Sequence, residues 1–162
     1  MKDVFELAHR IRTQNENRLT WQQTDTREAL IQMVVTEHQE LRDAIDTFDV
    51  VQHPELHIIG EAGDIGYLTL RYREAYPLDP LPKEFQHAFE DAFNVATRCN
   101  FALSDAVEMK LHRNAYKHTD HWYDGFTRHP EAVRQANAFW KDLGGDDNFF
   151  VAYERHINRS QE

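Results

Sequence analysis

The feature of this sequence that most limits its fold is the scarcity of helix-breaking residues over long stretches of chain. Only 6 glycines and 5 prolines occur in 162 residues, and most of them fall in two clusters, residues 60–66 and 77–82. Elsewhere the chain is rich in Glu, Gln, Ala, Leu and Arg, which favour helix. We find no alternating strand pattern flanked by turn residues. The sequence therefore predicts an all-α fold.

Prolines, glycines and capping residues predict where the helices begin and end. The expected helices are residues 3–17, a second from an N-cap at Thr24 or Asp25 to Phe48, a third from Pro54 to just before Pro77, a fourth over 83–117 that bends around Asn100 to Ser104, and a short one from Pro130 to Leu143. We divide the chain into a domain over residues 1–118 and an aromatic-rich extension over residues 119–162 that packs on the same domain.

The acidic composition and the cysteine content exclude several classes of function. Lys and Arg total 18 against 28 Asp and Glu, and the resulting net charge of −10 disfavours nonspecific binding to nucleic acid or an anionic membrane. The single cysteine, Cys99, excludes an internal disulfide and a zinc site built from several thiolates. No apolar run approaches a membrane span, and the first residues are amphipathic rather than a signal peptide. We therefore expect a cytoplasmic protein with neither a nucleic-acid nor a membrane partner.

The second predicted helix carries an acidic residue where a core residue is expected. Its apolar residues have the spacing of a buried face: Leu30, Met33, Val34, Leu41, Ala44, Ile45 and Phe48. At about 100° per residue, Glu37 projects near the middle of this face and Glu40 onto its margin. Because the two acids are one helical turn apart, they share one side of the helix.

The third predicted helix repeats this arrangement. Glu61 projects between Ile65 and Leu68 on the apolar face, and Asp64 lies at the edge of that face. A short connection makes the second and third helices antiparallel neighbours, which brings the four carboxylates together. Burying unpaired negative charge is costly, and a hard divalent cation such as Mg²⁺ would compensate it. The alternative is that both helices are rotated and the acids face solvent.

Three glycines lie inside the same predicted helix. Gly60, Gly63 and Gly66 share one face, and each weakens the helix by about 0.8–1 kcal/mol relative to alanine. Two explanations remain open, of which we favour the first: the close approach of a neighbouring helix, or direct contact with a substrate.

The fourth predicted helix changes character near its end. Its apolar residues are Phe85, Phe89, Ala92, Phe93, Ala96, Leu103 and Val107. The same spacing then continues into Lys110, Asn114 and Lys117. Either the helix leaves the core there and these side chains are solvated, or a cationic surface with an amide group meets the carboxylates. The second arrangement suits a ligand with phosphates, which metal and lysines would hold while the amide contacts a sugar or base.

These acidic and basic motifs occur in the order found in one known family. The motifs are EHQE with Glu37 and Glu40, EAGD with Glu61 and Asp64, and KLHRNAYK with Lys110, Asn114 and Lys117. In that order they resemble the all-α nucleoside triphosphate pyrophosphohydrolases of the MazG type, relatives of the dimeric dUTPases. The resemblance spans about residues 19–117 and includes Trp21 and Thr26 in the segment before the first motif.

The resemblance implies an architecture like a four-helix bundle and an enzyme, a nucleoside triphosphate pyrophosphohydrolase. Its reaction is hydrolysis of a nucleoside or deoxynucleoside triphosphate to the monophosphate and pyrophosphate. The implied ligands of Mg²⁺, for which Mn²⁺ can substitute, are Glu37, Glu40, Glu61 and Asp64, of which the first two are also catalytic. The implied substrate-binding residues are Lys110 and Lys117 on phosphate oxygens, Asn114 on the nucleotide, and Trp21, which either stacks on a base or belongs to the core. The expected assembly is a homodimer or homotetramer with the nucleotide between subunits.

One residue departs from the family pattern. Many relatives carry a further glutamate directly before the first motif, often assigned as general base, where this chain has Thr36. Either Glu37 or Glu40 then activates the attacking water through metal, or activity is weakened. The alternative function is therefore a non-catalytic, acidic helical module that binds nucleotides or a protein partner.

The chain also contains 10 histidines, which can be metal ligands. His53 and His57 are four residues apart, but no convincing third ligand accompanies them. We expect these side chains to be solvated or to cap a helix.

Overall fold

The computed structural model describes residues 4–16, 26–48 and 54–114, and farther along the chain residues 134, 137–138 and 141–142. The helices of the first three ranges are α1 (Val4–Glu16), α2 (Arg27–Asp46), α3 (Pro54–Ala75), α4 (Lys83–Arg98) and α5 (Leu103–Asn114). No strand is found in the described part of the chain, so the predicted all-α fold class is confirmed.

Several predictions lie outside the described residues. They concern Trp21, Lys117, His53 and most of the extension over residues 119–162. Within the short helix expected from Pro130 to Leu143, the described residues 134, 137–138 and 141–142 are helical.

The helix ends agree with the sequence at three points and differ at two. The predicted first and third helices match α1 and α3, and α2 ends close to the predicted position. The N-cap of α2 is Thr26, not Thr24 or Asp25, because Thr26 Oγ1 accepts a hydrogen bond from the Ala29 amide at 3.2 Å. The single helix expected over 83–117 is wrong. Asn100, with a φ of 54°, adopts the left-handed conformation that ends a helix, so the predicted bend is a break between α4 and α5.

Helix α3 lies at the centre of the fold and packs against each of the other four helices. It is therefore buried on nearly all sides rather than along one stripe. The buried apolar residues of α3 are Ile58, Ile59, Ala62, Ile65, Tyr67, Leu68 and Tyr72. Every group that α3 carries near its middle is thus enclosed by neighbouring helices.

The predicted apolar faces of α2 and α4 are partly correct. Leu30, Val34, Leu41 and Ala44 of α2 are buried, and so are Phe85, Ala92 and Ala96 of α4. The predicted burial is wrong for five residues that are 36–53% exposed, namely Met33, Ile45, Phe48, Phe89 and Phe93. In α4 the inner face consists largely of alanines, which let the helix lie close to its neighbours. The two phenylalanines instead stack on each other with ring centroids 6.5 Å apart.

Two of the three glycines permit the close approach of α5 to α3, as the favoured explanation predicted. A Cβ atom at Gly63 would lie 2.6 Å from the backbone oxygen of Ala106, and one at Gly66 would lie 2.7 Å from Val107 Cγ2. These contacts set how deeply α5 sits against the centre of the fold.

We expect Gly63→Ala to destabilise the protein more than Gly66→Ala. At Gly63 the added methyl meets a backbone carbonyl, which can move only if α5 shifts, whereas at Gly66 it meets a side-chain methyl of Val107, which needs a smaller displacement of the helix backbone. Overpacking of this kind costs about 1–3 kcal/mol. Thermal unfolding of both variants beside the wild type measures the difference. Melting temperatures of both variants equal to that of the wild type would contradict the close packing of α3 on α5.

Among the described helices, none is both long and apolar enough to cross a lipid bilayer.

Candidate functional site

Three carboxylates from two neighbouring helices meet at one place in the interior. Glu37 comes from α2, and Glu61 and Asp64 come from adjacent turns of α3. One oxygen from each lies within 4.8 Å of the others. The structure thus brings together three of the four acids selected from the sequence. The alternative prediction, that the acids face solvent, is wrong for these three.

The burial of the acids differs from the helical projection. Asp64, expected at the edge of the apolar face, is only 7% exposed, whereas Glu61 and Glu37 are partly buried. Asp64 is enclosed because α3 has neighbours on all sides, so a position at the edge of one face is covered by another helix. Glu40 is exposed and does not belong to the group of three.

Glu40, at the edge of the cluster, nevertheless affects the pKa of Glu37. Burial raises the pKa of Glu37 to about 9, helped by the negative charges of Asp64 and Glu40 and by a hydrogen bond with the Glu40 side chain. The positive charge of Lys110 acts in the opposite direction on this pKa. Glu37 Oε2 is buried and has no hydrogen-bond partner among the described residues. One oxygen of the cluster is therefore left for a cation or for a donor outside the described residues.

Lys110 of α5 belongs to the same cluster. Its Nζ atom forms an ion pair with Asp64 Oδ1, and the two side chains are 11% and 10% exposed. Asn114, one turn farther along α5, is 4% exposed. The predicted alternative in which α5 leaves the core at these residues is therefore wrong. The lysine expected on phosphate oxygens instead contacts a carboxylate.

His57 lies beside the cluster, which the sequence analysis did not predict. Its Nδ1 atom is 3.9 Å from Glu61 Oε1, one helical turn away on α3. Burial lowers the pKa of His57, an effect that the negative charge of Glu40 opposes. The expectation of a solvated role is thus wrong for this residue. The spacing of four residues between His57 and Glu61 is the signal that could have identified it.

A second histidine holds α2 in position. His38, directly after Glu37, is 9% exposed, and its Nε2 atom is 2.6 Å from Asp91 Oδ2 on α4. This contact links α2 to α4 and restricts rotation of α2 about its axis. His38 follows Val34 by four residues on the buried face, which was the available sequence signal.

A groove runs along α2 next to the cluster. It has a volume of about 510 Å³, and Glu40 lies in its wall together with Thr36, His38, Arg42, Glu84 and His87. Since Glu40 also hydrogen bonds to Glu37, the groove reaches the rim of the carboxylate cluster.

Comparison with known proteins does not identify the family. No family model matches the chain, and neither a curated protein nor a solved structure shows significant similarity to it. Membership of the MazG type therefore stays a prediction based on the sequence motifs.

Proposed function

We propose that the protein is a Mg²⁺-dependent hydrolase that converts a nucleoside or deoxynucleoside triphosphate to the monophosphate and pyrophosphate. The observation that supports it best is the convergence of Glu37, Glu61 and Asp64 within 4.8 Å inside the helical core. A cationic side chain, Lys110, and a buried amide, Asn114, lie on the helix packed beside these acids. Acids, lysine and amide are the groups needed to bind a metal, phosphates and a nucleoside.

The donor set fits a hard divalent cation. All three groups offer carboxylate oxygens, which Mg²⁺ prefers, and Mn²⁺ accepts the same ligands. The buried Glu37 Oε2 atom, for which the described residues provide no hydrogen-bond partner, supports this assignment. Glu37, Glu61 and Asp64 would hold the ion. When bound, the ion neutralises charge on the phosphates and polarises the α-phosphoryl group.

Residues of the protein itself supply the proton acceptor and the contact with the nucleoside. Thr36 is no general base, because its Oγ1 atom donates a hydrogen bond to the Gln32 carbonyl at 3.1 Å. Glu40, on the rim and hydrogen bonded to Glu37, accepts the proton of the attacking water. The water oxygen bonds to the α-phosphorus, the bond from that phosphorus to the oxygen bridging the β-phosphate breaks, and pyrophosphate leaves. Asn114 contacts the nucleoside.

A panel of ribonucleoside and deoxyribonucleoside triphosphates tests this function. We expect turnover of at least one substrate with Mg²⁺, none with excess chelator, and equal amounts of monophosphate and pyrophosphate. Reaction in ¹⁸O-labelled water should place the label in the monophosphate, because the water attacks the α-phosphorus. Release of orthophosphate, label in pyrophosphate, or no turnover of any substrate would contradict the proposal.

The second candidate is a non-catalytic module that binds nucleotides. It is favoured by Thr36, which replaces the expected glutamate and whose hydroxyl bonds to its own helix. Calorimetry with a nonhydrolysable triphosphate, with and without Mg²⁺, distinguishes the two functions when read beside the turnover assay. Tight metal-dependent binding without turnover would favour the binding module.

We also propose assembly into a homodimer or homotetramer, as the resemblance implies. It is supported by Phe89 and Phe93, which stack on the surface of α4 with 36% and 53% of their area exposed. Light scattering coupled to size-exclusion chromatography measures the mass in solution, and a monomer at all concentrations would exclude this assembly.

A further inference from the structure

The ammonium group of Lys110 already compensates part of the negative charge of the cluster. It contacts Asp64, the most buried of the three acids, and both side chains are about nine-tenths buried. It is also close enough to Glu37 to act on that carboxyl. The position that a divalent cation would share among the three acids therefore borders a positive charge of the protein itself.

We infer that Lys110 and the divalent cation exchange on Asp64: without metal the lysine pairs with this carboxylate, and metal binding releases its ammonium group toward the phosphates of the nucleotide. This inference rests on the proposed function, since it assumes that the three acids bind a metal. It assigns one side chain two successive partners, a carboxylate and then a phosphate.

Electrostatics requires the exchange if both cations use the same oxygen. A metal at coordination distance from Asp64 Oδ1 would lie about 4 Å from an ammonium group still paired with that oxygen. Two positive charges at this separation in a partly buried site repel each other strongly. The ammonium group can move away from Asp64, whereas the metal must stay within bonding distance of the carboxylates that hold it.

The packing of α5 determines which part of the molecule moves. Gly63 of α3 lets the backbone of Ala106 approach so closely that a Cβ would be 2.6 Å from the Ala106 oxygen. The backbone of α5 one turn before Lys110 is thus fixed against α3. The flexible four-carbon side chain of Lys110 provides the movement, and the helix itself stays in place.

This exchange couples metal and nucleotide. A nucleotide that arrives without metal finds Lys110 engaged by Asp64, so it binds weakly. Metal binding frees the lysine and strengthens nucleotide binding, and by thermodynamic linkage the nucleotide strengthens metal binding by the same factor.

Calorimetric titration with Mg²⁺ alone tests the inference on three proteins: wild type, Lys110→Met and, as a matched control, Lys83→Met. Lys83 is an exposed lysine on α4. We expect Lys110→Met to bind Mg²⁺ about tenfold more tightly, because the competing charge is gone. The same variant should bind a nonhydrolysable triphosphate more weakly in the presence of Mg²⁺. Lys83→Met should match the wild type in both titrations.

A second measurement uses the wild-type protein and does not depend on folding of the variant. Lysine side chains are acetylated with a water-soluble ester, and the extent of modification at each lysine is measured by mass spectrometry. We expect the reactivity of Lys110 to rise several-fold when Mg²⁺ binds, while that of Lys83 stays constant.

The outcomes separate the inference from the function on which it rests. If the wild type binds Mg²⁺ but Lys110 gains no reactivity, or if Lys110→Met binds Mg²⁺ no more tightly, the exchange is overturned and the metal site stands. If the wild-type protein and the Lys110→Met variant both fail to bind Mg²⁺, the proposed function and the exchange are overturned together.

Discussion

Glu61→Gln should abolish turnover while leaving the helical content unchanged. The substitution keeps the size and one oxygen of the side chain but removes the negative charge that Glu61 contributes to the cluster with Glu37 and Asp64. An amide is a much weaker ligand for Mg²⁺ than a carboxylate. Loss of one hydrogen-bond donor that stabilises a transition state lowers kcat by about 10²–10³-fold, and we expect loss of a metal ligand to lower it by at least as much. Steady-state kinetics at saturating Mg²⁺ measure the loss, and far-UV circular dichroism measures the helical content.

A matched control separates the site from general effects of charge. Glu90 is an exposed acid on α4, and Glu90→Gln changes the net charge of the protein by the same amount. We expect kcat and KM of this variant to equal those of the wild type. Full activity in Glu61→Gln would show that Glu61 is no metal ligand, and an equal loss in both variants would show that overall charge, not the cluster, controls the rate.

The sequence predicts the convergence of the acids because their periodicity is a property of single helices. Glu37 and Glu61 lie on apolar faces whose spacing is visible in the sequence, and neighbouring helices pack through such faces. Gly63 and Gly66 predicted the close approach of a neighbouring helix in the same way, since a face without side chains permits close packing, but the sequence did not show that this neighbour is α5. These features are visible within single helices.

The parts that the sequence did not reveal depend on contacts between helices distant in the chain. The burial of Asp64 follows from the central position of α3, which no single helical face shows. The contact of His38 with Asp91 joins residues 53 positions apart. Phe89 and Phe93 have the spacing of core residues, yet the alanines of α4 fill the inner positions. Periodicity identifies which residues share a face, but the packing of the other helices decides how much of that face is covered.

Glu37→Gln should stabilise the metal-free protein, and increasingly so as the pH rises. In the folded protein the pKa of Glu37 is raised from 4.5 to about 9, chiefly by burial. Between these two values the folded state keeps a proton that the unfolded state releases, so the free energy of unfolding falls as the pH increases. A single group of this kind contributes at most about 1.4 kcal/mol per pH unit. Glutamine does not ionise, and the free energy of unfolding of the variant therefore does not fall with pH for this reason.

Mg²⁺ should reverse the order of stability. Binding at the proposed site requires the ionised form of Glu37, so in the wild type the ion would compensate the buried charge and add its own binding free energy to folding. The variant lacks this proposed ligand and should gain less. We therefore expect Glu37→Gln to melt above the wild type at pH 8 with chelator and below it at the same pH with saturating Mg²⁺. Each kcal/mol of difference in the free energy of unfolding corresponds to about 2–4 °C in melting temperature.

Differential scanning calorimetry at pH 6 and pH 8, with and without Mg²⁺, measures all four conditions. Glu28→Gln, at an exposed position in the first turn of α2, is the matched control, and its difference from the wild type should not change with Mg²⁺. If Glu37→Gln is no more stable than the wild type in chelator, burial does not raise the pKa of Glu37 enough to destabilise the folded protein. If Mg²⁺ stabilises both proteins equally, the ion binds elsewhere. The crossing of the two stabilities is the specific consequence expected if Glu37 is an ionisable metal ligand inside a helical core, where a negative charge is unfavourable until a cation accompanies it.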